Sequence, residues 1–334
     1  MPNTSIRPVR RTAIPPVSPA PSAQADPLER ERLTLSAGGE SDISLQVQRP
    51  ATVPARADVV YVHGGTFGAD LSIYFRLDGR SWADQLTDEG FIVWGFDFVG
   101  YGSSGRHVAD LGPAGEIGDA LRDLRRVVDA VRQRNGGQPV VLLAHSRGAA
   151  IAARYAGERP SDVRALVLFA PIVSRPTNAA ALAPQAAPPS HYPLSAWAQY
   201  RRFIEDVPKG QPQVLGEGHM EAWSAAFLAS DATSAARWPP SVITPYGPVA
   251  DIGALWAGRA LYDPARIGAP TLIVRGEWDS LCNDADAQRL LQALGSSVKD
   301  DVKIARGTHL LHLEHQRMDL YAQVNRFLKN VQQP

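Results

Sequence analysis

The chain has 334 residues, 44% of them hydrophobic, with 34 basic and 34 acidic residues for a formal net charge of zero. That is enough apolar material for a large core, either one big domain or a core with an insertion. The balanced charge offers no basic excess for nucleic acid, no apolar run approaches the roughly 18 residues of a membrane span, and the single cysteine, Cys282, excludes an internal disulfide.

Residues 1–27 are rich in Pro, Ser and Ala, with Arg7, Arg10 and Arg11 and no acidic residue before Asp26. No apolar stretch follows the arginines, as a secretory signal would require. A disordered N-terminal arm on a cytoplasmic protein is therefore expected. Residues 33–35 and 43–48 predict two leading strands around Gly38-Gly39. Residues 59–62 form a continuous apolar run, as in a strand covered on both faces. A helix over 81–89 closed by Gly90, a strand over 91–96 and a helix carrying Ile117, Leu121, Leu124, Val128 and Val131 at helical spacing come next. Strand 140–143, helix 149–156 and strand 165–169 complete a βα alternation, which predicts a doubly wound, mostly parallel α/β sheet.

Between Ile172 and Tyr262 that rhythm is lost. The stretch holds Pro188-Pro189, Pro239-Pro240 and the tryptophans Trp197, Trp223, Trp238 and Trp256. Two amphipathic helices are predicted, near 194–205 and 219–229. The alternation then resumes with a short apolar strand from 270 that leads into a turn reaching 279, and another short strand over 302–309, ended by a histidine.

Three side chains stand just past predicted strands. Ser146 lies in Ala144-His145-Ser146-Arg147-Gly148, between a buried strand and an alanine-rich helix. A serine at such a junction must occupy a sharp turn, with small residues two places before and after it because strand and helix nearly collide. Ala144 stands where the usual G-x-S-x-G pattern has its first glycine. Asp279 follows in Gly276-Glu277-Trp278-Asp279, and His309 follows in Gly307-Thr308-His309. All three can converge at one edge of a parallel sheet, which is where open α/β sheets bind ligands.

With the order Ser, Asp, His, the chain from about Leu33 to Leu328 resembles the α/β-hydrolase superfamily. Tyr61-Val62-His63-Gly64-Gly65 is similar to the family's strand and oxyanion loop, and the run from Asp97 to Ser104 is similar to its D-x-x-G-x-G-x-S turn. Tyr262-Asp263-Pro264, with Ile267 before Pro270, resembles the lead-in to the acid strand. The run from Gly307 to Glu314 resembles the histidine loop, with one extra residue between glycine and histidine. The resemblance implies an α/β-hydrolase core over residues 28–171 and 263–334 and a helical cap over 172–262.

It implies chemistry as well. Ser146 would be the nucleophile, His309 its base and Asp279 the acid that orients the imidazole. Glu277 is the rival acid, and the family's G-x-x-D spacing favours Asp279. His312 is the rival base; structural duty at the opening of the final helix is expected for it and for Glu314. The oxyanion donors are expected to be the backbone N–H groups of Arg147 and Gly65, with glycine allowing close approach and an unusual φ at the latter. His63 and Asp97 read as loop-shaping residues. Thr66, Trp197, Trp223 and the Arg147 side chain are candidates for substrate contact. For Arg147 the competing expectation is a pairing with a cap carboxylate such as Glu217 or Glu221, or exposure to solvent.

The expected activity is hydrolysis of a carboxylic ester or lactone of a small organic substrate through an acyl-enzyme, with no cofactor and no metal. The serine argues against the haloalkane dehalogenase and epoxide hydrolase branches, whose nucleophile is aspartate. His63-Gly64-Gly65-Thr66-Phe67 departs from the H-G-G-P-G of proline iminopeptidases. Amidase, aminopeptidase and C–C bond hydrolase activities share the same triad, and a ligand receptor of this fold is the non-enzymatic alternative. The oligomeric state is left open, a homo-oligomer included.

Overall fold

The structure, a computed structural model, describes residues 29–36, 38–50, 53–107, 112–176 and 188–331; the expected N-terminal arm and residues 177–187 of the expected cap lie outside them. The chain begins with β1 (Glu29–Leu35) and β2 (Ile43–Arg49), then β3 (Ala57–Val62), α1 (Trp82–Asp88), β4 (Phe91–Phe96) and α2 (Ile117–Arg134). It continues through β5 (Val140–His145), α3 (Arg147–Glu158) and β6 (Val163–Phe169). An insert follows, with β7 (His191–Ser195), α4 (Ala196–Ile204), α5 (His219–Ala229), β8 (Ser241–Pro245) and α6 (Gly247–Trp256). The last elements are β9 (Thr271–Gly276), α7 (Asp284–Ala293), β10 (Lys299–Ile304) and α8 (Arg317–Asn330).

Eight strands form one sheet in the order β1-β2-β4-β3-β5-β6-β9-β10. β2 runs antiparallel to β1 and β4, and the remaining pairs are parallel. The central strands are apolar throughout because side chains alternate between two covered faces. Val60, Val62 and Leu142 pack with α2 and α3 on one face, while Val59, Tyr61, Val141 and Leu143 pack with Trp82 of α1 and Leu320 of α8 on the other. The two outermost strands begin earlier than hydrophobicity suggests, with Glu29-Arg30-Glu31-Arg32 in β1 and Lys299-Asp300-Asp301 in β10. Charged residues protect exposed edges from further pairing, and they also hide those strands from an apolar pattern.

The insert departs most from expectation. α5 spans the predicted 219–229 and α4 falls within the predicted 194–205, but β7 and β8 form a separate antiparallel pair, and α6 was not foreseen. Neither short strand alternates cleanly, and two helices intervene, so no local hairpin signal exists. Phe203, Trp223 and Phe227 of the insert pack with Phe67, Leu71, Leu310 and Leu313 of the main body. Each such buried apolar side chain contributes roughly 1.5–3 kcal/mol. The insert is thereby seated on the two loops that carry Gly65 and His309. Among the described residues no helix is long and apolar enough to cross a membrane.

Candidate active site

Ser146 sits between β5 and α3 at φ 58°, ψ −126°, a left-handed conformation rare for a residue with a side chain. Its N–H donates to the Phe169 carbonyl at 2.9 Å, which ties the turn to β6. Ala144 is fully buried and makes the strand side of the turn small. On the helix side only glycine fits, because a Cβ on Gly148 would stand 2.3 Å from the His63 carbonyl oxygen. The strain at Ser146 aims its hydroxyl away from the sheet.

Across that edge, His309 Nε2 lies 2.8 Å from Ser146 Oγ, and His309 Nδ1 lies 3.0 and 3.1 Å from the two carboxylate oxygens of Asp279. A carboxylate only accepts, so Nδ1 carries the proton and Nε2 is left to accept from the serine hydroxyl. All three side chains are buried, Ser146 at 7% exposure. Burial alone would raise the Asp279 pKa, but the His309 ring and the N–H groups of Cys282 and Leu281 outweigh it and hold the carboxyl below its usual range. Glu277 is exposed and accepts instead from the Arg306 N–H at 2.9 Å.

The acid turn and the histidine loop are in direct backbone contact. Trp278 N–H donates to Gly307 O at 2.9 Å, and a Cβ on Gly276 would stand 2.2 Å from that same oxygen. Thr308, the extra residue of the loop, donates its N–H (3.0 Å) and its hydroxyl to Glu314. Burial pushes the Glu314 carboxyl up to about 7. His312 Nε2 bonds Ser72 Oγ at 2.9 Å and does not approach Ser146; His312 and Glu314 precede the final helix, which starts only at Arg317. His145 donates from Nε2 to the His309 carbonyl at 3.0 Å, a support not anticipated from sequence.

The oxyanion loop is set by His63. The Phe98 N–H donates to His63 Nε2 at 3.0 Å, so Nδ1 is the protonated nitrogen and donates to Gly64 O at 2.8 Å. Burial keeps this ring neutral, its pKa pushed down to about 3. In a planar trans peptide the Gly65 N–H points opposite the Gly64 carbonyl, hence away from His63. Tyr101 donates to Gly65 O at 2.7 Å. The backbone of Gly65 is not left-handed, contrary to expectation; glycine is required because a Cβ would stand 2.9 Å from Pro248 Cβ. The Arg147 N–H opens α3, where the first N–H groups have no partner within the helix and the dipole favours negative charge. Asp97 accepts from the Ala69 N–H at 2.9 Å and the Ser103 N–H at 3.2 Å, a turn-holding arrangement.

The proposed substrate contacts fare differently. Arg147 is 1% exposed; its Nε donates to Asp251 Oδ2 at 2.8 Å, and its Nη2 to the same oxygen and to Gly115 O. The guanidinium is thus paired with a carboxylate of the insert, as the competing expectation had it, though the partner is Asp251 in place of Glu217 or Glu221. Trp223 is buried, donates to Leu71 O at 2.9 Å and packs among Phe67, Phe203 and Phe227, so its role is to join insert and body. Trp197 is 66% exposed on α4. Thr66 accepts from Gln199 Nε2 of α4 at 3.2 Å and lines a pocket of about 360 Å³. Phe67 and Tyr101 on the body and Ala226, Val242 and Ile243 on the insert also line that pocket, and Ser146 lies outside the lining. Among the described residues no group of three or more His, Cys, Asp or Glu is placed to hold a metal ion.

Residues 54–206 match the family model described as serine aminopeptidase, S33. Human monoglyceride lipase is 27% identical over 244 residues, 70% of each chain. Among solved structures, the thioesterase domain from the curacin biosynthetic pathway superposes with a TM-score of 0.61 at 20% identity, covering 90% of this chain and 99% of that one. A monoacylglycerol lipase of Paleococcus ferrophilus superposes with a TM-score of 0.55 at 19% identity, covering 91% and 99%.

Proposed function

Because the chain belongs to the α/β-hydrolase superfamily, we propose that it is a serine hydrolase cleaving a carboxylic ester or lactone of a small organic substrate through an acyl-enzyme. The observation that carries this reading is the unbroken series from Ser146 Oγ through His309 to Asp279, in buried surroundings. As Oγ attacks the substrate carbonyl carbon, its proton passes to His309 Nε2 and the carbonyl π pair moves to oxygen. The N–H groups of Gly65 and Arg147 receive the oxyanion, and Asp279 stabilises the imidazolium. When the oxyanion collapses, the C–O bond to the alcohol breaks and the leaving oxygen takes the proton from His309. Water, deprotonated by the same imidazole, then frees the acid. The insert acts as a cap, and the pocket beside Thr66 takes part of the substrate; its size is that of ordinary small-ligand sites.

The ester reading is favoured over the peptidase reading because Phe67, Ala226, Val242 and Ile243 give that pocket an apolar portion between body and insert, beside the charged Asp70, Arg106 and Asp231. The test is labelling by a fluorophosphonate, followed by turnover of a p-nitrophenyl ester, a monoacylglycerol and an aminoacyl anilide. Labelling at Ser146 with steady ester turnover is expected. Preference for the anilide would move the assignment to an aminopeptidase, and a single burst without turnover would make the protein a receptor.

A further inference from the structure

Pro248 and Asp251 lie three residues apart on α6, on the same side of the helix. Pro248 is buried and meets Gly65: a methyl on that glycine would lie 2.9 Å from its Cβ, and the proline ring cannot swing aside. Asp251, 4% exposed, accepts from Arg147 through Oδ2 and from the Ile117 N–H through Oδ1 at 3.2 Å. Arg147 in turn donates to Gly115 O, and the α6 N-terminus is docked there, with Gly247 N–H on Ala114 O at 2.8 Å. A Cβ on Gly247 would stand 2.3 Å from the Gly115 carbonyl carbon, so this docking is backbone against backbone.

From these contacts we infer that one face of α6 braces the oxyanion hole, Asp251 holding the first residue of α3 through its side chain and Pro248 seating Gly65. This rests on the hydrolase reading above, which supplies the role of the two N–H groups. Both donors then take their positions from the insert and not from the sheet alone. A buried charged pair is an expensive way to fasten a helix, and breaking one leaves an uncompensated charge in the interior. Its placement at the residue after the nucleophile is what a geometric role requires, since donors must be held at the point where negative charge develops. Asp251 and Pro248 are positioning residues on this view.

The experiment uses the full chain and two independent perturbations. Asp251→Asn keeps the shape and weakens the hold on Arg147. It is expected to lower kcat by about tenfold or more while KM stays within about threefold. Affinity for a trifluoromethyl ketone should fall in the same proportion. Its adduct forms a bond from Ser146 Oγ to the carbonyl carbon, passes the serine proton to His309 and leaves an oxyanion in the hole. The second arm removes no buried charge: Pro248→Gly takes the ring from beside Gly65 and should likewise lower kcat by about tenfold with KM within about threefold. If Asp251→Asn does not fold, Pro248→Gly decides alone. A kcat within twofold of wild type for folded Asp251→Asn or for Pro248→Gly overturns the brace. A wild-type protein that neither turns over an ester nor binds the ketone overturns the hydrolase reading instead, and the brace with it.

Discussion

His309 Nε2 stands 2.8 Å from Ser146 Oγ although 163 positions separate the two residues in sequence. The contact joins the turn after β5, in the middle of the sheet, to the loop after β10, at its edge. Ser146→Ala and His309→Ala should each lower ester turnover by several orders of magnitude, and Ser146→Ala should do so with near-native thermal unfolding, because the hydroxyl contributes chemistry and little packing. Normal turnover in purified Ser146→Ala would remove the elbow from the reaction.

Asp279→Asn should be severely impaired, since an amide can present its NH2 to Nδ1 and stabilise the wrong tautomer of His309. Glu277→Gln should keep most of the activity, because Glu277 is exposed and bonds the Arg306 N–H. Steady-state kinetics of both variants check this, and the reverse ranking would transfer the acid role to Glu277.

Glu314 should give the protein a pH-dependent stability. Its carboxyl is raised from 4.5 to about 7 in the folded state, so the folded chain holds the proton more tightly than the unfolded one. That contribution favours folding below about pH 4.5 and fades as the pH rises to about 7. Relative to Glu314→Gln, wild-type unfolding free energy should therefore decline across that interval, by up to about 3 kcal/mol. Denaturant titrations at several pH values measure the difference. A constant difference would mean that the carboxyl ionises in the folded protein as it does in the unfolded chain.

Arg147→Ala should cost on the order of 3–5 kcal/mol of stability, because it strands the buried Asp251 carboxylate. Replacing both partners by Arg147→Met with Asp251→Leu should recover most of that loss, since a buried pair can be exchanged for apolar packing at little net cost. Urea unfolding of the three proteins tests it. A single variant as stable as wild type would show that Asp251 finds another partner or water.

The sheet was legible wherever the chain is buried on both faces. Runs such as Val140–Leu143 leave little alternative to a covered strand, and the observed β5 extends them by two residues. Legibility failed where burial is one-sided or absent, at the charged starts of β1 and β10 and in the β7–β8 pair. α6 has no clear sequence signal because Gly247, Gly253 and two alanines give it little contrast between faces. Pro248 at its second position was the one local signal of a helix start.

By itself the sequence determined the order of strands and turns, and with it that Ser146, Asp279 and His309 each follow a strand. Those are local properties: apolar runs, a glycine at a crowded turn, a carboxylate after a strand. Tertiary structure decided what distant groups do to one another. It chose Asp251 over Glu217 and Glu221 as the partner of Arg147, across 104 residues. It turned Trp223 inward, left Trp197 outside, and made Gly65 necessary through the closeness of Pro248 and not through its backbone angle. Periodicity reports which face of an element is covered; only packing determines what covers it, because that depends on where the rest of the chain has come to lie.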